Sequence, residues 1–212
     1  MVKLGLVYIF FGLVAAQDIF YKCTKTDLDY EIRRFNTAIG VSPDLTYYNT
    51  SVLYDAIFTV FRQDIIKTCA ARSAFAANLG YMYTDCVDPW TIESLVGGNL
   101  TIFHAVQYAQ IWNRLEFACG GGFHIAIDDY ACIYNATQQQ KFTDCYQEFA
   151  KTTYNYTTFD HYCQTVKTYA ACGYDSVKPF GCKNPLSPWY LCESLRFGVG
   201  KTCPGLRCFV NQ

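Results

Sequence analysis

Proline and glycine are scarce in this sequence. The 6 Pro and 14 Gly amount to about a tenth of the chain, too few for a collagen or a low-complexity linker. Neither sign of charge dominates: 17 Lys and Arg stand against 18 Asp and Glu, and no basic run occurs. That excludes a chain that grips nucleic acid through its overall field. Histidine is down to three residues, His104, His124 and His161. They are isolated from one another, with no His-x3-His or His-Glu pattern and no Cys-x2-Cys, so neither a zinc site nor another metal site is expected. No run alternates apolar and polar residues between turn signals, which leaves no candidate strand. Beyond residue 16 no apolar stretch approaches the ~20 residues that a membrane-spanning helix needs.

What is abundant is apolar surface, cysteine and aromatic rings. Apolar residues make up 51% of the 212, which excludes disorder and supplies a sizeable core. Met1 to Lys3 form a basic start, and Leu4 to Ala16 is an apolar run ending in Val14-Ala15-Ala16. This pattern predicts a secretory signal peptide over 1–16, cleaved after Ala16, since the run is too short to span a bilayer. All 12 cysteines follow that site: Cys23, Cys69, Cys86, Cys119, Cys132, Cys145, Cys163, Cys172, Cys182, Cys192, Cys203 and Cys208. An even number of cysteines in an exported chain predicts disulfides. Four glycosylation sequons point the same way, at Asn49, Asn99, Asn135 and Asn155; chance would give about one. The expected location is therefore secreted and extracellular, with these asparagines on the surface.

The apolar period is helical nearly throughout. Leu28, Ile32, Phe35 and Ile39 share a face, with Gly40 and Pro43 as stops. Ser51 is placed to cap a long helix through Leu53, Ile57 and Phe61, on past Ile65 to Leu79 and Gly80. Asp88-Pro89 opens a short helix; Thr101 opens another that runs to Ala118 and the glycines 120–122. Helices over 123–134 and 138–151 follow, then one from Thr158 that Gly173 closes, then one from Ser187-Pro188 to Gly198. The expectation is an all-α, disulfide-rich domain of seven or eight helices over residues 17–212. Cys163 and Cys172 lie nine positions apart on one helix, on opposite faces and roughly 13 Å apart along the axis. A disulfide needs Cα atoms within about 7 Å, so these two cannot pair and their helix must be tied to two neighbours. Cys203 and Cys208 flank Pro204-Gly205, so a local bridge across that turn is possible.

Several of these residues carry a family resemblance: Lys22-Cys23, then Phe117-Ala118-Cys119-Gly120-Gly121-Gly122-Phe123, then Asp129-Tyr130-Ala131-Cys132-Ile133, then Tyr162-Cys163 and regularly spaced cysteines. The chain resembles the nematode secreted twelve-cysteine domains of unknown function, in the neighbourhood of the chondroitin proteoglycan 4-like domain. The resemblance covers nearly all of residues 17–212. It implies an extracellular module with six disulfides, and it implies no catalytic residues. Chondroitin is attached at Ser-Gly, and the sequence contains no such dipeptide, which speaks against a proteoglycan core.

The candidate chemistries are few. Cys119-Gly120-Gly121-Gly122 with Asp128-Asp129 and Cys132 brings to mind the calcium loop of a secreted phospholipase. But no His adjoins Cys132, and His124 precedes it by eight residues. The glycines then serve to end one helix and start the next, with Asp128 and Asp129 exposed or acting as caps. A glycoside hydrolase would need a carboxylate pair, drawn from Asp55, Asp64, Glu93, Glu116 or Asp128. The 18 Tyr, 16 Phe and 3 Trp serve a core, a cavity for an apolar molecule or an aromatic docking surface. The leading expectation is a non-enzymatic extracellular binding or structural module, working on an extracellular protein or glycan. The first alternative is a carrier of a lipid or small hydrophobic ligand; the second is a secreted hydrolase. No cofactor, nucleic-acid partner or membrane span is expected. A carrier calls for an apolar cavity of a few hundred Å3 without converging charges, a module for an exposed aromatic patch, and an enzyme for titratable groups meeting in a cleft, for instance around His124 or Asp128.

Overall fold

A computed structural model describes residues 22–98, 100–153 and 158–209. The expected signal peptide, Asn99 and Asn155 lie outside these residues. The described residues form an all-α, disulfide-rich fold: α1 Lys25–Ile39, α2 Thr50–Gln63, α3 Ile65–Leu79, the single turn α4 Tyr83–Cys86, α5 Pro89–Val96, α6 Ile102–Cys119, α7 Phe123–Thr137, α8 Gln140–Thr153, α9 Phe159–Val177 and α10 Ser187–Val199. Side-chain caps start several of them, those at Asp88, Thr101 and Thr158 as the sequence suggests. Thr24, Asp88, Thr101 and Thr158 each accept a hydrogen bond from the backbone N–H three residues on, satisfying donors that a helix start leaves open. Gly40 ends α1 in the left-handed region, at φ 86°.

Three local expectations are corrected. The long helix over 51–79 is two helices, broken at Asp64, whose backbone is extended and whose Oδ1 accepts from Lys67 N–H at 2.8 Å. Asp64 thus caps a new helix rather than continuing the old one. Ser51 is not the cap of α2; it lies within the first turn and is exposed. Gly173 does not close α9, which runs on to Val177. A Cβ there would sit 3.2 Å from both Leu191 Cδ2 and Phe142 Cε2, so this glycine admits close approach of α8 and α10.

Two cores form around α6. The larger joins α1, α2, α3, α5, α6 and α7 and centres on Trp112, which stacks on Phe75 at 3.9 Å and meets Phe35 edge-on at 4.8 Å. The smaller gathers Tyr162, Val166 and Ala170 of α9 with Leu195 and Val199 of α10 and Leu206 of the C-terminal segment. All twelve cysteines pair: Cys23–Cys86, Cys69–Cys119, Cys132–Cys182, Cys145–Cys172, Cys163–Cys203 and Cys192–Cys208. Cys163 and Cys172 do tie α9 to two neighbours, the C-terminal segment and α8. The local Cys203–Cys208 bridge does not form. Leu206 N–H closes a turn on the Cys203 carbonyl at 3.3 Å, and with Cys203 and Leu206 both buried in the smaller core the cysteine points toward α9 instead. No helix among the described residues is long and apolar enough to cross a membrane.

Candidate functional site: an aromatic cavity between the two cores

Six helices line a cavity of about 620 Å3 that opens to solvent, within the range of small-molecule sites. On α2, Thr50, Tyr54 and Phe58 recur every four residues and face it, while Leu53, Ile57 and Phe61 on the neighbouring stripe are fully buried in the larger core. α6 contributes Gln107, Gln110 and Arg114, and α7 contributes Tyr130, Ile133 and Tyr134. From α8 come Phe142, Tyr146 and Phe149, and from α9 Tyr162, Val166 and Tyr169, both at the i, i+4, i+7 spacing of one helical face. α10 closes the wall with Tyr190, Leu191, Leu195 and Val199.

The lining is polar only at points. Gln110 Nε2 donates to Tyr162 Oη at 2.6 Å and Thr50 Oγ1 to Gln107 Oε1 at 3.0 Å. Arg114 Nη1 donates to Tyr54 Oη, and the guanidinium lies 5.4 Å from that ring's centre. Burial pushes the Tyr162 phenol up to about 12 and raises Tyr130, Tyr169 and Tyr190 as well. These hydroxyls therefore stay protonated at physiological pH and can donate. Two lining residues carry formal charge, Arg114 and Asp55. Asp55 is exposed at the mouth. Among the described residues no carboxylate lies within 4.0 Å of Arg114.

The residues singled out as catalytic candidates do not converge on this cavity. Asp64 caps α3 and Glu116 pairs with Arg72 at 3.0 Å. Glu93, Asp128 and all three histidines are exposed, and His104 Nδ1 is engaged by Thr101 Oγ1 at 3.0 Å. Among the described residues no group of His, Cys, Asp and Glu could hold a metal ion. Asp129 is not exposed: it is buried, and its Oδ2 accepts from Asn184 N–H and, at 2.8 Å, from Ser187 Oγ. It is a cap of a remote kind, fixing the loop that enters α10. The sequon residues Asn49 and Asn135 are exposed. Outside the cavity, Trp90 and Phe103, 52% and 40% exposed, meet the Phe159 ring at 5.3 and 6.1 Å and form a small surface patch.

The site residues that sequence reasoning missed are Arg114, Gln107 and Gln110. Their signal was the i, i+3, i+7 spacing of three polar residues on α6, a helix that also carries His104, Asn113 and Glu116. No family model, curated protein or solved structure matches this chain.

Proposed function

We propose that the protein is a secreted binding module that holds a small hydrophobic ligand in the cavity between its two cores, and that its cysteine framework groups it with the secreted twelve-cysteine domains of nematodes. The cavity carries the proposal. It holds about 620 Å3 behind an open mouth, the size of a small-molecule site, and seven tyrosines and three phenylalanines line it. Six disulfides fit an oxidising compartment and keep such a cavity from collapsing. Binding rather than catalysis is favoured because, among the described residues, no histidine lines the cavity and Asp55 is its single carboxylate. The surface patch of Trp90, Phe103 and Phe159 supports a second reading, a docking face for an extracellular protein or glycan.

The test is native mass spectrometry of the chain secreted by eukaryotic cells, with glycans removed, compared with the same sample denatured but not reduced. A Nile red titration accompanies it. An added mass lost on denaturation, or saturable uptake of the dye, is the expected result. Equal masses together with no dye uptake would discard the ligand cavity and leave the docking face as the reading to pursue.

A further inference from the structure

Arg114 is out of place in a pocket for a purely apolar molecule. Its guanidinium is always charged, and it offers five N–H donors in a planar fork. None of its nitrogens is a buried atom left without a partner, so those not paired within the protein open to solvent or to a ligand. Here one N–H is bonded to Tyr54 Oη. The other N–H groups have no hydrogen-bond partner and no carboxylate within 4.0 Å among the described residues. Tyr54, having accepted from Arg114, still has its own hydroxyl hydrogen to donate. The position of the arginine is fixed by its stem, because Gly198 of α10 leaves room that a Cβ would close to 3.0 Å from Arg114 Cγ. The only other charge in the lining among the described residues, Asp55, follows Tyr54 by one residue and is exposed at the mouth. It is turned about 100° around the helix from Tyr54, and it repels a second negative charge at the entrance.

We propose that the ligand is an amphipathic monoanion, a carboxylate on a long alkyl chain, whose head pairs with Arg114 and Tyr54 and whose chain lies along Phe149, Val166 and Leu195. This rests on the cavity being a ligand site. The fork geometry of a guanidinium matches the two oxygens of a carboxylate, and the aromatic and aliphatic walls supply the apolar contact that a chain requires. The neutral phenols around Arg114 bring no negative charge to compete with the head group.

Displacement of Nile red from the intact, disulfide-bonded protein by palmitate, cetyl alcohol and cetylamine tests the head group at constant chain length. Palmitate should bind at least about ten-fold more tightly than the alcohol, the scale of a charge-assisted hydrogen bond, and the amine most weakly. Arg114→Met should bring palmitate to the level of the alcohol. Acidification through the carboxyl range, about pH 4, should abolish the preference in the wild-type protein without any variant. Equal binding of palmitate and alcohol by the wild-type protein, or a preference that survives Arg114→Met, overturns the monoanion while the cavity stands. Failure of the dye and all three ligands to bind overturns the cavity reading itself.

Discussion

Gly122 is a position where one methyl group should be felt sharply. A Cβ there would lie 2.7 Å from Tyr190 Cε2 and 2.8 Å from Phe117 Cε1. Both rings are buried, and they pack against each other with centres 5.2 Å apart where α6 meets α10. Neither can retreat freely, since Phe117 also stacks on Phe197 at 4.9 Å and Tyr190 meets Tyr130 at 6.3 Å. Gly122→Ala should therefore cost about 1–3 kcal/mol, the usual penalty for overfilling a packed site. Gly121→Ala is the control, because nothing lies within 4 Å of its built Cβ. Urea unfolding with the disulfides intact reads both. Equal midpoints for the two variants would mean that the rings at 122 yield without cost. The glycine triplet itself was legible as a sharp turn between helices. That its third member also faces two rings was not, because those rings come from residues 5 before it and 68 after it in the chain.

At the scale of the helix, Asp64 is the decisive residue of the first half. It ends α2 and starts α3, and its carboxylate takes the Lys67 N–H at 2.8 Å. Asp64→Ala should lower stability by about 1 kcal/mol, as loss of an N-cap usually does, and the urea midpoint measures it. Asp64→Asn or Asp64→Ser, which can accept the same hydrogen bond, should restore most of the loss; if they do not, the cap is not what Asp64 contributes. The break was hidden in the sequence because Phe61 and Ile65 are four residues apart, so the apolar period runs through it unbroken. Where periodicity and a cap coincide, as at Asp88, Thr101 and Thr158, helix starts were readable. Gly173 misled for the opposite reason: glycine signals a stop and a close approach equally well, and only the neighbours Leu191 and Phe142 decide between them. The cavity was half legible. The stripes Phe142, Tyr146, Phe149 and Tyr162, Val166, Tyr169 could be seen as helix faces, but their meeting across from Arg114 is a property of the assembled helices. Cysteine order allowed one exclusion, and the remaining pairings depend on distances that spacing does not encode.

For the whole molecule, the disulfides fall into two sets. Cys23–Cys86 and Cys69–Cys119 close within the first part of the chain, and the other four close from Cys132 onward. Among the described residues none links the two sets, so the junction of the halves, where the cavity lies, is held by side-chain contacts alone, with Phe117 of α6 against Trp189, Tyr190 and Phe197 of α10. Buried tyrosines in both parts make that cohesion sensitive to alkali. Burial raises the phenols of Tyr83 in the first part and Tyr162 in the second from 10.0 to about 12. An unfolded chain ionises these groups near pH 10, while the folded protein keeps them neutral until about 12. Between those values the unfolded state binds fewer protons, so the stability of the fold decreases as pH rises. Their contribution is fully present below pH 10 and gone once pH passes about 12. For Tyr162, at 6% exposure, the loss should be on the order of 2 kcal/mol. Urea midpoints taken briefly at a series of pH values from 8 upward, alongside tyrosinate absorbance, should show a decline that starts near 10 and a late-ionising fraction in the native protein. Tyr162→Phe should flatten part of that decline while costing, at neutral pH, the hydroxyl's interactions, the hydrogen bond from Gln110 among them. A native protein whose tyrosines all ionise near 10, or a midpoint that holds constant up to 12, would show that these phenols are open to water and, at Tyr162, that the cavity wall is looser than its geometry.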